Sequence, residues 1–77
     1  MEKKIRWGIL GTGWIAEKMV AALSTVNDAA LVAVGSRTIE KANEFARRYR
    51  VETAYGSYEE LAADPRVDVV YVATPHP

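Results

Sequence analysis

Two glycines and an alanine stand at a fixed spacing near the start of the chain. Gly11, Gly13 and Ala16 fit the pattern G-x-G-x-x-G/A, with an apolar run before it and a helical pattern after it. Gly11 permits a tight turn, Gly13 leaves a bare backbone that a diphosphate can approach, and Ala16 lets helix and strand pack closely. The first N–H groups of a helix also lack partners and carry partial positive charge. The pattern predicts a dinucleotide phosphate site, and a purely structural turn is the alternative.

A serine and an arginine follow the next apolar run, at Ser36 and Arg37. An acidic residue at this point would bind the adenosine ribose 2′-hydroxyl of NAD. Neither position is acidic, and serine can donate to a 2′-phosphate while arginine can pair with it. Arg37 could also stack on adenine, and Lys41, one helical turn on, could add positive charge. These residues favour NADP over NAD, and ordinary solvated charges are the alternative for Arg37 and Lys41.

Apolar runs and helical patterns alternate along the chain and would position these residues. Strands are predicted at residues 5–10, 30–35, 53–55 and 67–73. Helices are predicted from residue 14 to about 25, from 39 to 49 after an N-cap at Thr38, and from 58 to the Asp64-Pro65 step. Ser57 and Glu60 have the spacing of a capping box at the start of the third helix.

The element order β-α-β-α-β-α-β predicts an α/β fold with a parallel sheet and right-handed crossovers. Four strands suit a Rossmann-like half in the spatial order 3-2-1-4, with helices on both faces. Ligands of such sheets bind beyond the carboxyl ends of the strands, at the switch point between the first and fourth strands. Here those ends are residues 11–14 and 74–76.

Composition narrows the class of protein. A chain of 77 residues is expected to form one domain at most, of marginal stability. Its formal net charge is zero, which argues against nucleic-acid and membrane surfaces. It has no cysteine, and its single histidine, His76, cannot form a metal site alone. No apolar run approaches the ~18 residues of a membrane span and no signal peptide is recognised, so we expect a cytoplasmic protein.

Three segments together resemble a known family. IRWGILGTGWIAEKMVAAL, LVAVGSRTIEKANEFARRY and AYGSYEELAADPRVDVVYVATPHP are similar to the N-terminal NAD(P)-binding domain of the Gfo/Idh/MocA oxidoreductases. The glycine motif is shared with many Rossmann proteins, whereas its combination with YGSYEELAADPRVDVVYVATP is much more specific. The resemblance covers essentially the whole chain. It implies oxidation or reduction of sugars, polyols or related diols and carbonyls by hydride transfer, with a larger C-terminal domain that shapes the substrate site.

The resemblance also implies which residues contact the cofactor. The diphosphate loop would span residues 11–15, the adenosine ribose or its phosphate would lie near residues 36 and 37, and residues 73–76 would line the nicotinamide side. The predicted cofactor-binding residues are Gly11, Thr12, Gly13, Trp14, Ile15, Ser36, Arg37, Lys41, Ala73, Thr74, Pro75 and His76.

No residue of the chain is expected to be catalytic. In the resembled family the catalytic lysine lies in a Glu-Lys-Pro motif after the next strand, which would fall beyond residue 77. His76 stands where many members have asparagine, as in the branch resembling dihydrodiol dehydrogenases, and we interpret it as lining the cofactor or as a simply exposed histidine rather than as a catalytic residue. Tyr58 could contact an adenine edge, but packing is the favoured interpretation. We interpret the chain as a truncated dinucleotide-binding domain that lacks its substrate domain and catalytic activity.

A non-catalytic module is the alternative from another class. An exposed apolar edge strand recruits other strands, so residues 67–73 could pair with a second copy and form a homodimer or larger assembly. A flavin or S-adenosylmethionine domain of similar fold is disfavoured, because both usually have an acid near the end of the second strand, where Ser36 and Arg37 stand.

Overall fold

The computed structural model describes residues 4–73, in which strands and helices alternate. The strands are β1 (Ile5–Leu10), β2 (Ala29–Gly35), β3 (Thr53–Tyr55) and β4 (Val69–Val72). The helices are α1 (Trp14–Leu23), α2 (Ile39–Tyr49) and α3 (Tyr58–Ala62). Every strand pair is parallel, and the order across the sheet is β3-β2-β1-β4. The predicted α/β fold and the predicted strand order are confirmed.

The first two helices cover one face of the sheet. Ile9 of β1 and Val34 of β2 are fully buried, and they share one apolar cluster with Ala16 and Leu23 of α1 and Phe45 of α2. Side chains alternate between the two faces along a strand. The neighbours of Ile9 and Val34 therefore point to the opposite face, where the third helix lies.

The third helix approaches the middle of the sheet through a single leucine. Leu61 is fully buried. A Cβ built on Gly8 would lie 3.1 Å from one Leu61 methyl carbon, and a Cβ built on Gly35 would lie 3.1 Å from the other. Contacts this short are tighter than ordinary carbon–carbon packing. The two glycines therefore let α3 pack directly on the backbones of β1 and β2.

Two predicted boundaries differ from the structure. The first helix was expected to reach about residue 25, but α1 ends at Leu23 because two hydroxyl groups bond back to its last turn. Ser24 Oγ donates to Ala21 O at 2.6 Å, and Thr25 Oγ1 donates to Ala22 O at 2.8 Å. The last strand was expected from residue 67, but β4 begins at residue 69. The backbone just before it closes a turn, in which the N–H of residue 67 donates to the carbonyl of residue 64.

A buried carboxylate organises the turn between α3 and β4. Asp64 is only 5% exposed. It accepts hydrogen bonds from Tyr55 Oη at 2.7 Å, and from the backbone N, Nε and Nη2 of Arg66 at 2.8, 3.1 and 2.8 Å. Arg66 also donates to Glu52 Oε1 at 2.6 Å and to Thr53 Oγ1 at 2.7 Å. These bonds, led by those from Arg66, hold the pKa of the Asp64 carboxyl well below its usual range.

A second ion pair joins the starts of β1 and β4. Arg6 Nε and Nη2 lie 3.3 Å from Asp68 Oδ2 and Oδ1, and the Arg6 backbone N–H donates to Asp68 Oδ2 at 2.9 Å. The Asp68 N–H in turn donates to the Arg6 carbonyl at 2.8 Å. The pair therefore fixes the register of the two parallel strands where β4 begins.

The described residues contain neither a membrane helix nor a metal cluster. The longest helix, α2, has 11 residues, and no helix between residues 4 and 73 is both long and apolar enough to cross a bilayer. Within the same range no three histidine, cysteine, aspartate or glutamate side chains gather in a way that could hold a metal ion.

Candidate functional site

A large cleft of about 940 Å³ opens at the carboxyl edge of the sheet. Its walls are the loops that follow β1, β2 and β3, together with the residue that follows β4. The lining residues are Leu10, Gly11, Thr12, Gly13, Ser36, Arg37, Thr38, Lys41, Gly56, Ser57, Tyr58, Glu59 and Ala73. This is the edge at which open parallel sheets bind ligands. A smaller recess of about 290 Å³ adjoins it between the loop after β1 and α2.

The two glycines of the loop after β1 have different reasons to be glycine. Gly11 has φ +118°, and a Cβ there would lie 3.0 Å from the Ala73 carbonyl oxygen. Its lack of a side chain is therefore required by the fold itself. Gly13 has an ordinary extended backbone, with φ −84°, and a Cβ there would meet nothing within 4 Å. Neither the backbone angle nor a close neighbour requires glycine at residue 13, and its bare backbone faces open space beside the cleft.

The first turn of α1 differs from that of the other two helices. Thr38 Oγ1 caps α2 by accepting from Lys41 N at 3.4 Å, and Ser57 Oγ caps α3 by accepting from Glu60 N at 3.2 Å, as the sequence predicted. The N-cap of α1 is Gly13, and no side chain among residues 4–73 replaces the missing cap. The first N–H groups of α1 therefore remain available at the cleft, together with the positive end of the helix dipole.

Two cations border the cleft without a neutralising partner. Arg37 and Lys41 both line it, and neither makes an ion pair with any side chain in the described part of the chain. Ser36, between Arg37 and β2, is 8% exposed, and its N–H donates to the Tyr55 carbonyl at 3.1 Å. The loop after β2 is thus tied to β3, and Arg37 of this loop and Lys41 in the first turn of α2 can bind an anion in the cleft.

The structure brings seven of the predicted cofactor-binding residues together. These are Gly11, Thr12, Gly13, Ser36, Arg37, Lys41 and Ala73. Two others lie outside the lining: Trp14 is 65% exposed, with Lys18 Nζ 4.8 Å above its ring, and Ile15 packs against the core. The side chains of Trp14 and Ile15 therefore point away, although their backbone belongs to the first turn of α1. The remaining predictions, residues 74–76, lie outside the described residues.

The loop between β3 and α3 supplies lining residues that the sequence did not predict. With the first turn of α3 they are Gly56, Ser57, Tyr58 and Glu59, and Leu10 and Thr38 are two further lining residues that were not predicted. Packing was the favoured interpretation of Tyr58, but its side chain lines the cleft and is 48% exposed. The available signal was the capping box at Ser57, because it placed a helix start directly after a strand, and therefore at the carboxyl edge of the sheet.

The strand order fixes how an elongated ligand would lie along this edge. The exposed amides of α1 and the bare backbone of Gly13 suit a diphosphate. The cations after β2 lie to one side of that point, and Ala73, after β4, lies to the other. The arrangement can therefore hold a dinucleotide. Its diphosphate would lie at the start of α1, one nucleoside would lie toward β2 and β3 beside the cations, and the other nucleoside would lie toward β4.

Comparison with known proteins agrees with this geometry. The profile of an oxidoreductase family with an NAD-binding Rossmann fold, GFO_IDH_MocA, matches residues 5–77. Trans-1,2-dihydrobenzene-1,2-diol dehydrogenase of Mus musculus is 47% identical over 95% of this chain, and that of Xenopus laevis is 51% identical over 94%. A 3-ketoreductase from Actinomadura kijaniata, solved with NADP, superposes with a TM-score of 0.84 and 31% identity over 95% of this chain.

The chain spans only part of these proteins. It covers 22% of the length of either dehydrogenase and 23% of the 3-ketoreductase. The family profile, in contrast, extends over almost all of residues 1–77, and the relatives share about half of the aligned residues. The chain therefore belongs to the Gfo/Idh/MocA oxidoreductase family and forms the NAD(P)-binding Rossmann fold of that family.

Proposed function

We propose that the chain binds NADP(H) as the cofactor-binding part of an oxidoreductase that transfers a hydride to or from a hydroxyl-bearing carbon. The cofactor carries the hydride chemistry, and the protein supplies binding, orientation and electrostatics. Gly13 and the amides at the start of α1 hold the diphosphate. Arg37 and Lys41 pair with the 2′-phosphate, and Ser36 donates to it.

The observation that carries the proposal is that neither the backbone angle nor a neighbouring atom explains the glycine at residue 13. A glycine in a merely structural turn would be required by a positive φ or by a close neighbour, as Gly11 is. Gly13 has neither constraint and stands at the uncapped start of α1. A bare backbone that the fold does not require is suited to a ligand that approaches from outside. This favours the phosphate site over the structural turn.

The preference for NADP over NAD rests on charge. The cleft at the end of β2 has two unneutralised cations, Arg37 and Lys41, and neither residue 36 nor residue 37 is acidic. A 2′-phosphate offers negative charge to such a site, whereas a 2′-hydroxyl offers none. The structural relative from Actinomadura kijaniata was solved with NADP, which is the same choice.

The names of the relatives support a proposal for the substrate class. The two dehydrogenases are named for a dihydrobenzenediol, and the Actinomadura kijaniata enzyme is named for a 3-keto group. We propose that the parent activity of this chain acts on a diol, sugar or polyol, and on the corresponding carbonyl compound in the reverse direction. A cytoplasmic location remains a prediction from composition.

Within the described residues, we assign no proton-transfer role. The titratable side chains of the cleft, Lys41, Tyr58 and Glu59, belong to the β2 and β3 side, where the adenosine half of the cofactor lies. The nicotinamide would lie toward β4, at Ala73. We therefore propose that this chain binds the cofactor without turning over substrate. Oxidation of NADPH by the 77-residue chain in the presence of a diketone or keto sugar would contradict this assignment.

Titration of NADPH and NADH, followed by nicotinamide fluorescence, tests the cofactor assignment. NADPH should bind more tightly than NADH. Arg37→Ala should weaken NADPH binding by about tenfold or more and weaken NADH binding less, because only NADPH also loses a charged partner of its 2′-phosphate. Arg47→Ala is the matched control, since Arg47 is an exposed arginine of the same helix region that does not line the cleft. Tighter binding of NADH would overturn the assignment.

We also propose self-association through β4. This strand pairs only with β1 in the described residues, and its Val69, Tyr71 and Val72 side chains are exposed. An unpaired apolar edge is a template for a second strand. Light scattering should give the mass of a dimer, and Val72→Lys should shift it toward a monomer. A wild-type monomer at all concentrations would overturn this second proposal and leave the first intact.

A further inference from the structure

The side of the cleft formed by the β3–α3 loop has no role in phosphate binding. If the diphosphate lies at Gly13 and the 2′-phosphate at Arg37, the strand order directs the adenine base toward the loop after β3. The first turn of α3, which follows this loop, places Tyr58 and Glu59 against the same cleft. The question is which chemical groups of the cofactor these two side chains recognise.

Tyr58 has the properties of a stacking surface. Among the large apolar side chains that are exposed in residues 4–73, it alone lines the cleft. The remaining exposed ones lie elsewhere on the molecule. An aromatic ring left half-exposed in a cleft gains contact area when a flat base covers it. Arg37 lines the same cleft after β2, so a purine could lie between its guanidinium plane and the Tyr58 ring.

Glu59 differs from every other charged group in the cleft. It is acidic, whereas Arg37 and Lys41 are cations suited to phosphate. A carboxylate would repel each phosphate of the cofactor, and it can only accept hydrogen bonds. The adenine base has a single donor group, the exocyclic 6-amino group. A carboxylate beside the base is therefore complementary to that amino group.

The loop after β3 and the first turn of α3, which carries both side chains, are held in place. A Cβ on Gly56 would lie 3.3 Å from Ile39 Cβ, so the loop packs directly on the start of α2. Ser57 Oγ accepts from Glu60 N at 3.2 Å and donates to Glu60 Oε1 at 3.3 Å, which fixes the first turn of α3. A loop fixed before the ligand arrives loses little entropy on binding.

We propose that Tyr58 and Glu59 form the adenine-recognition side of the cleft. Tyr58 packs flat on the purine, and the Glu59 carboxylate accepts a hydrogen bond from the 6-amino group. This inference rests on the proposed binding of NADP(H). It assigns the choice of base to the first turn of α3, whereas the choice between NADP and NAD belongs to the loop after β2.

The test uses a cofactor changed at one position of the base. In nicotinamide purine dinucleotide phosphate, reduced form, a hydrogen atom replaces the 6-amino group and N1 remains an acceptor, so a carboxylate beside this edge of the base would have no donor to bind. The wild-type chain should bind NADPH about tenfold more tightly than this analogue. In Glu59→Gln the amide can serve either base, and the preference should fall to within about twofold. Glu40→Gln, in the first turn of α2 and outside the cleft, should keep the wild-type preference.

Tyr58 is tested with the same two cofactors. Tyr58→Ala should weaken both by about tenfold, because stacking does not depend on the 6-substituent. Tyr58→Phe should bind both within about twofold of wild type, because the ring is retained. A thermal melt of each variant separates loss of binding from loss of folding.

The outcomes distinguish this inference from the proposed function. Absence of NADPH binding by the wild-type chain overturns the proposed function itself. Equal binding of the two bases by the wild type overturns the role of Glu59 while the cofactor assignment stands. An unchanged base preference in Glu59→Gln also overturns that role, and it would be the result if the carboxylate bound the ribose 3′-hydroxyl instead. Equal affinities of wild type and Tyr58→Ala overturn the stacking role.

Discussion

The two ends of the sheet differ in whether their cationic side chains form ion pairs within the described residues. At the amino ends of the strands, Arg66 is bound by Asp64 and Glu52, and Arg6 is bound by Asp68. At the carboxyl ends, Arg37 and Lys41 border an open cleft with no ion pair in the described residues. Both ends contain arginines. They differ in whether the protein itself supplies the partner.

The difference separates groups that stabilise the fold from groups that await a ligand. A buried carboxylate such as Asp64 must have its hydrogen bonds within the protein, because an unsatisfied one would be strongly destabilising. A cation at the mouth of a cleft remains hydrated until an anion replaces the water. The amino end therefore contributes to stability, and the carboxyl end to binding. Substitutions at the two ends should consequently change different measurements.

The largest expected effect is that of Asp64→Asn. The change removes the negative charge that faces the Arg66 guanidinium and offers that cation an amide in its place. We expect the urea midpoint to fall further than it does in Gly11→Ala or Glu17→Gln. Glu52→Gln is the matched control, because Glu52 binds the same guanidinium from a position that is mostly exposed. Equal shifts of the midpoint in Asp64→Asn and in this control would contradict the special role of the buried carboxylate.

Gly11→Ala should lower stability and binding together. Alanine is strained at φ +118°, and its Cβ would press on the Ala73 carbonyl oxygen. We expect a loss of about 1–3 kcal/mol in the free energy of unfolding, measured by urea denaturation. A midpoint equal to that of the wild type would show that the turn accommodates a side chain.

Gly13→Ala should separate binding from stability. The backbone of Gly13 suits alanine and no neighbour obstructs its Cβ, so the free energy of unfolding should fall by only about 1 kcal/mol or less, the cost of alanine in place of glycine at an N-cap. The affinity for NADPH should fall by about tenfold or more, because the added methyl group would stand between the diphosphate and the amides of α1. If Gly13→Ala folds and binds NADPH as tightly as the wild type, the proposed role of Gly13 in diphosphate binding would be wrong.

The pH dependence of stability should report on the amino end. The pKa of Asp64 lies below its ordinary value of 3.8 because Arg66 and Tyr55 donate to the carboxylate. Its contribution is therefore complete above about pH 4 and is lost as the pH falls through the lowered pKa of the folded state. Tyr55 has a pKa raised above 10.0, since its hydroxyl donates to Asp64. That contribution is complete below about pH 10 and is lost as the pH rises through the raised value.

Urea midpoints measured between about pH 2 and pH 11 should follow this pattern. Asp64→Asn should flatten the acid limb, and Tyr55→Phe should flatten the alkaline limb. Acid limbs of equal slope in wild type and Asp64→Asn would assign the acid loss to other carboxylates.

The smallest expected effect is that of Glu17→Gln. Glu17 of α1 and Arg48 of α2 form an exposed ion pair at 3.6 Å. Breaking such a pair typically changes the free energy of unfolding by about 1 kcal/mol or less. The change should shrink further in high salt, which screens exposed charges. A loss comparable with that of Asp64→Asn would remove the distinction between buried and exposed pairs.

Local patterns in the sequence predicted the elements well. The succession of apolar runs and helical patterns located all seven elements. The predicted caps, Thr38 and Ser57, lie at the observed starts of α2 and α3. The glycine motif located the loop that forms one side of the cleft. Each of these signals lies within a few residues of the feature it predicts, because capping, turns and periodicity are properties of neighbouring residues.

Contacts between distant segments were harder to predict. Nothing near Arg66 in the sequence indicates that it would reach Glu52 and Thr53, 14 and 13 residues away. Tyr58 and Glu59 look like an ordinary first turn of a helix, and the sequence does not show that their side chains line the cleft together with Arg37. Both features depend on which side chains of distant segments meet, and neither periodicity nor the predicted strand order specifies that.

The packing of Leu61 against the backbones of Gly8 and Gly35 couples three positions that are far apart in the sequence. An alanine at residue 8 or 35 would bring its Cβ within 3.1 Å of a Leu61 methyl group, which would have to shift, and a smaller residue at 61 would leave an empty space over both strands. Divergence at any one of the three should therefore be accepted only after a compensating change at another. We therefore expect sequences that descend from this one to retain Gly8, Gly35 and Leu61 together, or to replace Leu61 by a smaller residue before either glycine is replaced by a larger one.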